Sequence, residues 1–315
     1  MDKTDKAAGP VAPDHLVLGS GGVLGDIWMT GLVLGLARSG VVNPGASGQF
    51  VGTSAGSIVA TRLAVSQDLE ALVRRHVERE IDPPPSQGPT AFERQSSSSQ
   101  LAGRIFGAHG TGGRLLRRAG LGLLPEGKKK LRYLEAEMAS LARQWPDRLN
   151  ITAVDARTAR RVLFNRNQND GLSVSEAVQA SCAIPAVFRP VASANGSGKT
   201  YVDGGVWSPV NLDAVPVEPG QTVLCLTPTG SDQGERSLRS KAVSGVFKSI
   251  VAREVSNLRE EGARVINVVP DESASAAIGP SRMAHGREEP VFAAAIGQGL
   301  ALAYPLLDWL TEPGP

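Results

Sequence analysis

The sequence predicts an α/β fold, with a mainly parallel sheet covered by helices on both faces. Two observations carry this. Short apolar runs such as "HLVLG" (15–19), "TVLCLTP" (222–228) and "ARVINVVP" (263–270) read as strands buried on both faces. They alternate with helical stretches along most of the chain, the order that a parallel sheet requires. The 315 residues suit one large α/β domain or two small ones and can bury a sizeable core. No internal repeat is visible.

Residues 1–13, rich in Pro, Ala and charge, are expected to be a disordered tail, with the domain over 14–312. After the first strand, 25–40 reads as a buried helix ended by Gly40. "GQFVG" (48–52) is a second strand, and the run after Ser54 a second helix. Residues 68–80 are amphipathic and helical, stopped by "DPPPS". From 82 to 127 proline, serine and glycine dominate, which predicts a long flexible insertion or lid. A helix is expected from 128 to 144. "LNITAVDARTARRVLFN" (149–165) reads as two strands around a polar turn. Residues 173–185 form a helix, with Ser173 and Glu176 as a capping box and Pro185 as its stop. "TYVDGG" (200–205) is a strand running into a glycine turn, and helices are expected at 237–262 and 290–311.

The net charge of +2 does not point to a polyanionic partner, so no nucleic acid is expected. Two cysteines, Cys182 and Cys225, make no disulfide framework, which fits a reducing, cytoplasmic setting. The N-terminus has no apolar core of a secretory signal. No apolar run approaches the roughly 18 residues that span a bilayer, so any membrane contact is expected to be peripheral. No His, Cys and carboxylate cluster has metal-ligand spacing, so neither metal nor cofactor is expected. Oligomeric state is not legible.

The chemistry concentrates in three places. "GTSAG" (52–56) puts Ser54 between a strand and a helix, with Gly52 and Gly56 on either side. Such an elbow exposes a serine hydroxyl and aims a helix N-terminus at the reacting carbonyl. The motif alone does not separate a nucleophile from an ordinary serine in a glycine-rich loop. "GSGGVLG" (19–25) also joins a strand to a helix. Its glycines could form a dinucleotide loop, a Walker loop or an oxyanion loop. Leu24 stands where the dinucleotide fingerprint needs its third glycine, and the Walker Gly-Lys-Ser/Thr is absent, which leaves the oxyanion loop. For the base, His285 is the one histidine downstream of both Ser54 and Asp203, the order of an α/β-hydrolase esterase. Asp203, at a strand end before Gly204 and Gly205, is the better candidate, although a carboxylate there could merely cap a turn. Cys182 and Trp207 read as packing residues, and Asp155 and Asp213 as turn or cap residues.

Together, "GSGGVLG", "GTSAG" and the late "DGG" (203–205), with "ASCAIPAVFRPV" (180–191) just upstream, resemble the patatin-like phospholipase family. The resemblance spans about residues 15–311, apart from the insertion. It implies a three-layer α/β/α sandwich with a mainly parallel central sheet. It also implies a lipid acyl hydrolase, phospholipase A-like or a lysophospholipase or esterase, working through an acyl-enzyme. Ser54 would be the nucleophile, Asp203 the general base, and the Gly21 and Gly22 amides the oxyanion hole. Gly25, Gly52, Gly56, Gly204 and Gly205 would support these motifs. The partner would be lipid or a membrane surface. Two departures stand out: Leu24 replaces a Lys or Arg common in the family, and the Gly25–Gly31 spacing is one residue longer than usual. A catalytically silent module that binds lipid or protein is the reading from another class. The intact Ser54 and Asp203 argue against it. Basic residues from Arg104 to Arg132, with Leu115, Leu116, Leu121, Leu123 and Leu124, make the insertion a candidate gate to the lipid surface.

Overall fold

The computed structural model describes residues 9–66, 70, 121–122, 124–214, 216–229 and 238–312. The predicted helix 68–80 and insertion 82–127 lie largely outside these. The strands are β1 (His15–Leu18), β2 (Gln49–Thr53), β3 (Leu149–Asp155), β4 (Arg161–Phe164), β5 (Val191–Ala192), β6 (Thr200–Asp203), β7 (Thr222–Leu226) and β8 (Arg264–Val268). The helices are α1 (Gly22–Arg38), α2 (Ala55–Val65), α3 (Arg132–Leu141), α4 (Val174–Ser181), α5 (Leu238–Glu260), α6 (Glu272–Ile278) and α7 (Glu288–Thr311).

All the strands among the described residues join one sheet, in the order β5-β6-β3-β2-β1-β7-β8, with β4 also on β3. β3, β2, β1, β7 and β8 run parallel, whereas β4 and β6 pair antiparallel with β3. The alternation of side chains along β1 sorts the core into two layers. Leu16 and Leu18 join Phe50, Leu224 and Leu226 beneath α1, α2 and α7. Val17 joins Val51, Val223 and Cys225 against Val251 and Leu258 of α5. This is the predicted three-layer α/β/α sandwich.

Several boundaries move for identifiable reasons. Order begins before residue 14, because Val11 pairs with Val42 and its amide bonds Val41 O at 2.9 Å. The first helix starts at Gly22 rather than 25, so the glycine loop is itself the helix N-terminus. The helix expected over 128–144 begins only at Arg132, since Lys129 forms a bridge with Phe188. The helix expected to reach 185 ends at Ser181, consistent with Pro185 disfavouring helical backbone just before it. The capping box at Ser173 and Glu176 is present. The sequence reading missed α6, which is capped by the Asp271 carboxylate accepting from Ala274 N. β8 is only partly buried, as an outer strand would be. Leu121 packs with Val154, Val202 and Val206 instead of standing free to insert into lipid.

Two features hold the helical layer. Arg62 of α2 is buried and bridges Asp26 of α1 (2.8 Å) and Glu137 of α3 (2.7 Å). α1 and α7 approach closely through small residues: a Cβ on Gly35 would lie 2.4 Å from Ile296 O, and one on Gly299 2.4 Å from Leu32 O. Trp28 Nε1 donates to Gln298 Oε1 across this crossing (2.8 Å). By length and composition α7 could cross a membrane, which the sequence reading did not register. Here its inner face, including Val291, Ala295 and Ala303, packs into the core.

The α1–α7 crossing leaves no room for a methyl group. Gly35→Ala gains about 1 kcal/mol of helix propensity, but overpacking against backbone costs about 1–3 kcal/mol. Denaturant unfolding is expected to show a net loss of up to about 2 kcal/mol, on the same balance.

Candidate active site

The site forms where two strands meet end to end on one edge of β3. Ile151 and Thr152 pair with β2 and also with β4, so β2 and β4 occupy opposite edges. Ala153 and Val154 pair with β4 and also with β6, so β6 shares the edge of β2. On that edge Thr53 faces Thr152, and Asp203 faces Ala153, the next rung. The parallel strand ends going up just where the antiparallel strand ends coming down. Both chains then turn out of the sheet, and Ser54 and Asp203 are left at the junction.

Ser54 adopts φ 52° and ψ −122°, a left-handed conformation that an L-serine resists. This is the strained strand-to-helix turn expected of a nucleophile elbow. Its backbone is tied on both sides. Ser54 N donates to Ser181 Oγ at 2.8 Å, and Ser54 O accepts from Ser57 N (2.8 Å) and Ser57 Oγ (2.7 Å). The sequence reading missed Ser181, which sits in the "ASCAIP" segment as the last residue of α4. Gly52 lies in β2 and Gly56 in the first turn of α2. A Cβ on Gly56 would fall 1.9 Å from Leu18 O, so only glycine lets α2 sit this close to β1.

Asp203 is 5% exposed. Burial raises its carboxyl to about 7, despite hydrogen bonding from the Gly205 amide and the Ser54 hydroxyl, which lowers it. Gly205 N donates to Oδ1 at 2.7 Å, so the turn made by Gly204 and Gly205 orients the carboxylate. Of the two roles foreseen for an aspartate here, the turn cap is present.

The glycine loop supplies the third wall. Ser20 N and Oγ both donate to Pro209 O (2.7 and 3.0 Å). The Gly21 and Gly22 amides, at the N-terminus of α1, donate to no protein acceptor among the described residues. Gly22 has φ +64°, and a Cβ there would meet Met283 Sδ at 2.5 Å. Gly25 rests on Pro228 and its amide closes the first turn onto Gly21 O. Leu24 is fully buried beside Ile27 and Trp28, which explains an apolar residue there. A basic residue approaches from elsewhere: Arg282 O accepts from Leu24 N (3.0 Å), and its Nε donates to Pro228 O (3.2 Å). α1 begins at Gly22 in this loop and α2 at Ala55 directly after Ser54, and a helix N-terminus favours negative charge.

The remaining candidates fall elsewhere. His285 is exposed, pairs with Glu288 at 3.5 Å, and makes no hydrogen bond to Ser54. His15 Nε2 bonds Gln221 at the far end of β1. His76 and His109 lie outside the described residues. Cys182 is buried beside Ser57, and burial pushes its thiol up, which leaves it inert. Trp207 lies under the Arg161 guanidinium. Asp155 caps its turn by accepting from Arg157 N and Thr158 N, and Asp213 pairs with Arg161. Among the described residues no three His, Cys, Asp or Glu side chains group as metal ligands would.

A strained serine at the top of a parallel sheet, leading straight into a helix, marks an α/β protein of the nucleophile-elbow class. Within that class the family model described as patatin-like phospholipase matches residues 16–216, and the chain belongs to this family. Lipid acyl hydrolysis is the activity at the level of the family. Similar solved structures include VipD from Legionella pneumophila, with a TM-score of 0.43 and 16% identity over 94% of this chain and 67% of that one. Another is the type III effector protein ExoU, with a TM-score of 0.41 and 17% identity over 96% of this chain. The chain spans 55% of the length of ExoU. No relative among curated protein sequences matches it.

The raised carboxyl of Asp203 makes a stability prediction. The folded protein holds this proton to about pH 7, whereas an unfolded chain releases it near 3.8. Asp203 therefore costs stability progressively as pH rises through that window, and the full cost is present above it. Asp203→Asn is expected to be more stable than the parent at pH 8 by about 2–4 kcal/mol. The advantage should shrink as pH falls towards 5, measured by urea unfolding.

Proposed function

We propose that the protein is a serine lipid acyl hydrolase that cleaves acyl esters through a Ser54–Asp203 dyad. The observation that carries this is the end-to-end meeting of β2 and β6 on adjacent rungs of β3, one strand leading into a strained serine and the other closing on a buried carboxyl. A base with a pKa near 7 suits the task better than an ordinary aspartate, because it still takes up a proton at neutral pH.

In this reading Ser54 Oγ adds to the ester carbonyl carbon as its proton passes to Asp203. The oxyanion is held by the Gly21 and Gly22 amides. The C–O bond to the alcohol then breaks, and the leaving oxygen takes the proton from Asp203. Water next loses a proton to Asp203 and adds to the acyl-enzyme. Collapse releases the fatty acid, and Ser54 recovers the proton. Alignment of the hydroxyl on the carboxylate is expected to tighten with substrate in place.

Substrate contact would be peripheral, at a cytoplasmic membrane surface. The exposed Lys128, Lys129, Lys130 and Arg132 support attraction to anionic headgroups. Phospholipids or lysophospholipids are the proposed substrate class.

A fluorophosphonate probe tests the mechanism. Labelling and ester turnover are expected to vanish in Ser54→Ala and to persist in His285→Ala. Asp203→Asn should lower turnover by about 10²–10⁴-fold. Activity of the parent should rise about tenfold per pH unit below neutrality and level off above about pH 7, following ionisation of the base. Parent-like turnover in Ser54→Ala would refute the assignment.

A further inference from the structure

We infer that Asn211 is a positioning residue that sets the spacing between nucleophile and base, from within a segment that touches all three catalytic loops. The inference rests on the Ser54–Asp203 reading. The segment is Ser208–Leu212, which lies outside the helices and strands apart from the short 3₁₀ turn that begins at Leu212.

The contacts run in three directions. Pro209 O holds the glycine loop through Ser20 N (2.7 Å) and Ser20 Oγ (3.0 Å). Asn211 Nδ2 donates to Thr53 Oγ1 (3.2 Å), to Gly204 O (3.3 Å) and to Ser208 O (2.8 Å). Thr53 precedes the nucleophile and Gly204 follows the base. One amide group therefore spans the gap between the two turns at the rung where β2 and β6 meet.

The network has a direction. Thr152 Oγ1 donates to Gly52 O at 3.2 Å. Thr53 Oγ1 lies 2.8 Å from Thr152 Oγ1, a bond that either hydroxyl can donate, and Thr53 Oγ1 also reaches Val210 O at 3.3 Å. Gly204 O and Ser208 O can only accept, which fixes the Asn211 NH2 as the donor towards them and towards Thr53 Oγ1. A donor is required at position 211, and an aspartate of the same shape would face acceptors instead. The segment is anchored in turn. Asn211 N donates to Ser208 Oγ (3.0 Å), and Leu212 N donates to Glu254 Oε2 of α5 (2.8 Å).

The residue is held there at a cost. Asn211 is fully buried, has φ 52°, and leaves Oδ1 without a hydrogen-bond partner. A strained backbone and an unsatisfied acceptor at one position call for a functional explanation. Fixing the distance between Ser54 and Asp203 supplies one, since small displacements of reacting groups are costly in rate.

The test uses the full chain and a soluble acyl ester, with kcat expressed per site titrated by the fluorophosphonate. Asn211→Asp keeps shape and tolerance of positive φ but removes the donor, and Asn211→Gly keeps φ but removes the side chain. Both are expected to lose about 10²-fold in kcat with KM within about twofold, and Thr53→Val about tenfold. A merely structural role would lower the thermal midpoint and the titrated fraction but leave kcat per titrated site unchanged, and that result overturns the inference. If neither Asn211 variant folds, Thr53→Val decides alone, by the same criterion. A parent that is not labelled at Ser54 sinks both the catalytic reading and this one, whereas a labelled parent with unaffected variants sinks only the positioning role.

Discussion

The backbone conformation of one residue governs this molecule. Ser54 sits at φ 52°, where a side chain crowds its own backbone, and nothing local favours it. It persists because its neighbours leave no alternative. Ser181 takes its amide, Ser57 takes its carbonyl, and Gly56 lets α2 press against Leu18. Behind these, Arg62 ties α2 to α1 and α3 through two carboxylates. Strain at the apex is thus offset by order in the core, around a serine that is itself only 9% exposed.

The second constraint is electrostatic. Asp203 and Glu254 are both buried carboxyls pushed up to about 7, chiefly by desolvation. They flank the Ser208–Leu212 segment from two sides, one through the Gly204 turn and one through the Leu212 amide. Among the described residues neither sits in a salt bridge, so each costs stability as pH rises towards 7.

Much of this was legible in the sequence, and the limits have physical causes. "GTSAG" and "DGG" were readable because glycine and small residues are needed where backbones touch, as at Gly56. β1, β2, β6 and β7 were readable from apolar runs ended by glycine or proline. The meeting of β2 and β6 on one edge of β3 was not, because strand direction and edge are set by the whole sheet. Ser181 and Asn211 escaped notice because each is an ordinary polar residue whose role exists only across long separations in the chain. α6 was overlooked although Asp271 is a good cap, its weakly apolar "ESASAAI" giving no strong face. Val11 was assigned to a tail by composition, while its order comes from a distant strand-like partner, Val42.

The family match ends at residue 216, but the walls of the glycine loop do not. β1 is flanked by β7 on one side, Gly19 N bonds Leu226 O, Gly21 leans on Pro228, and Leu24 N bonds Arg282 O. Trimming the chain at that border would turn β1 into an open edge and unroof the loop that faces the serine. The recognisable portion of the sequence is therefore packed against the remainder, which completes the sheet beside β1 and the wall of the glycine loop.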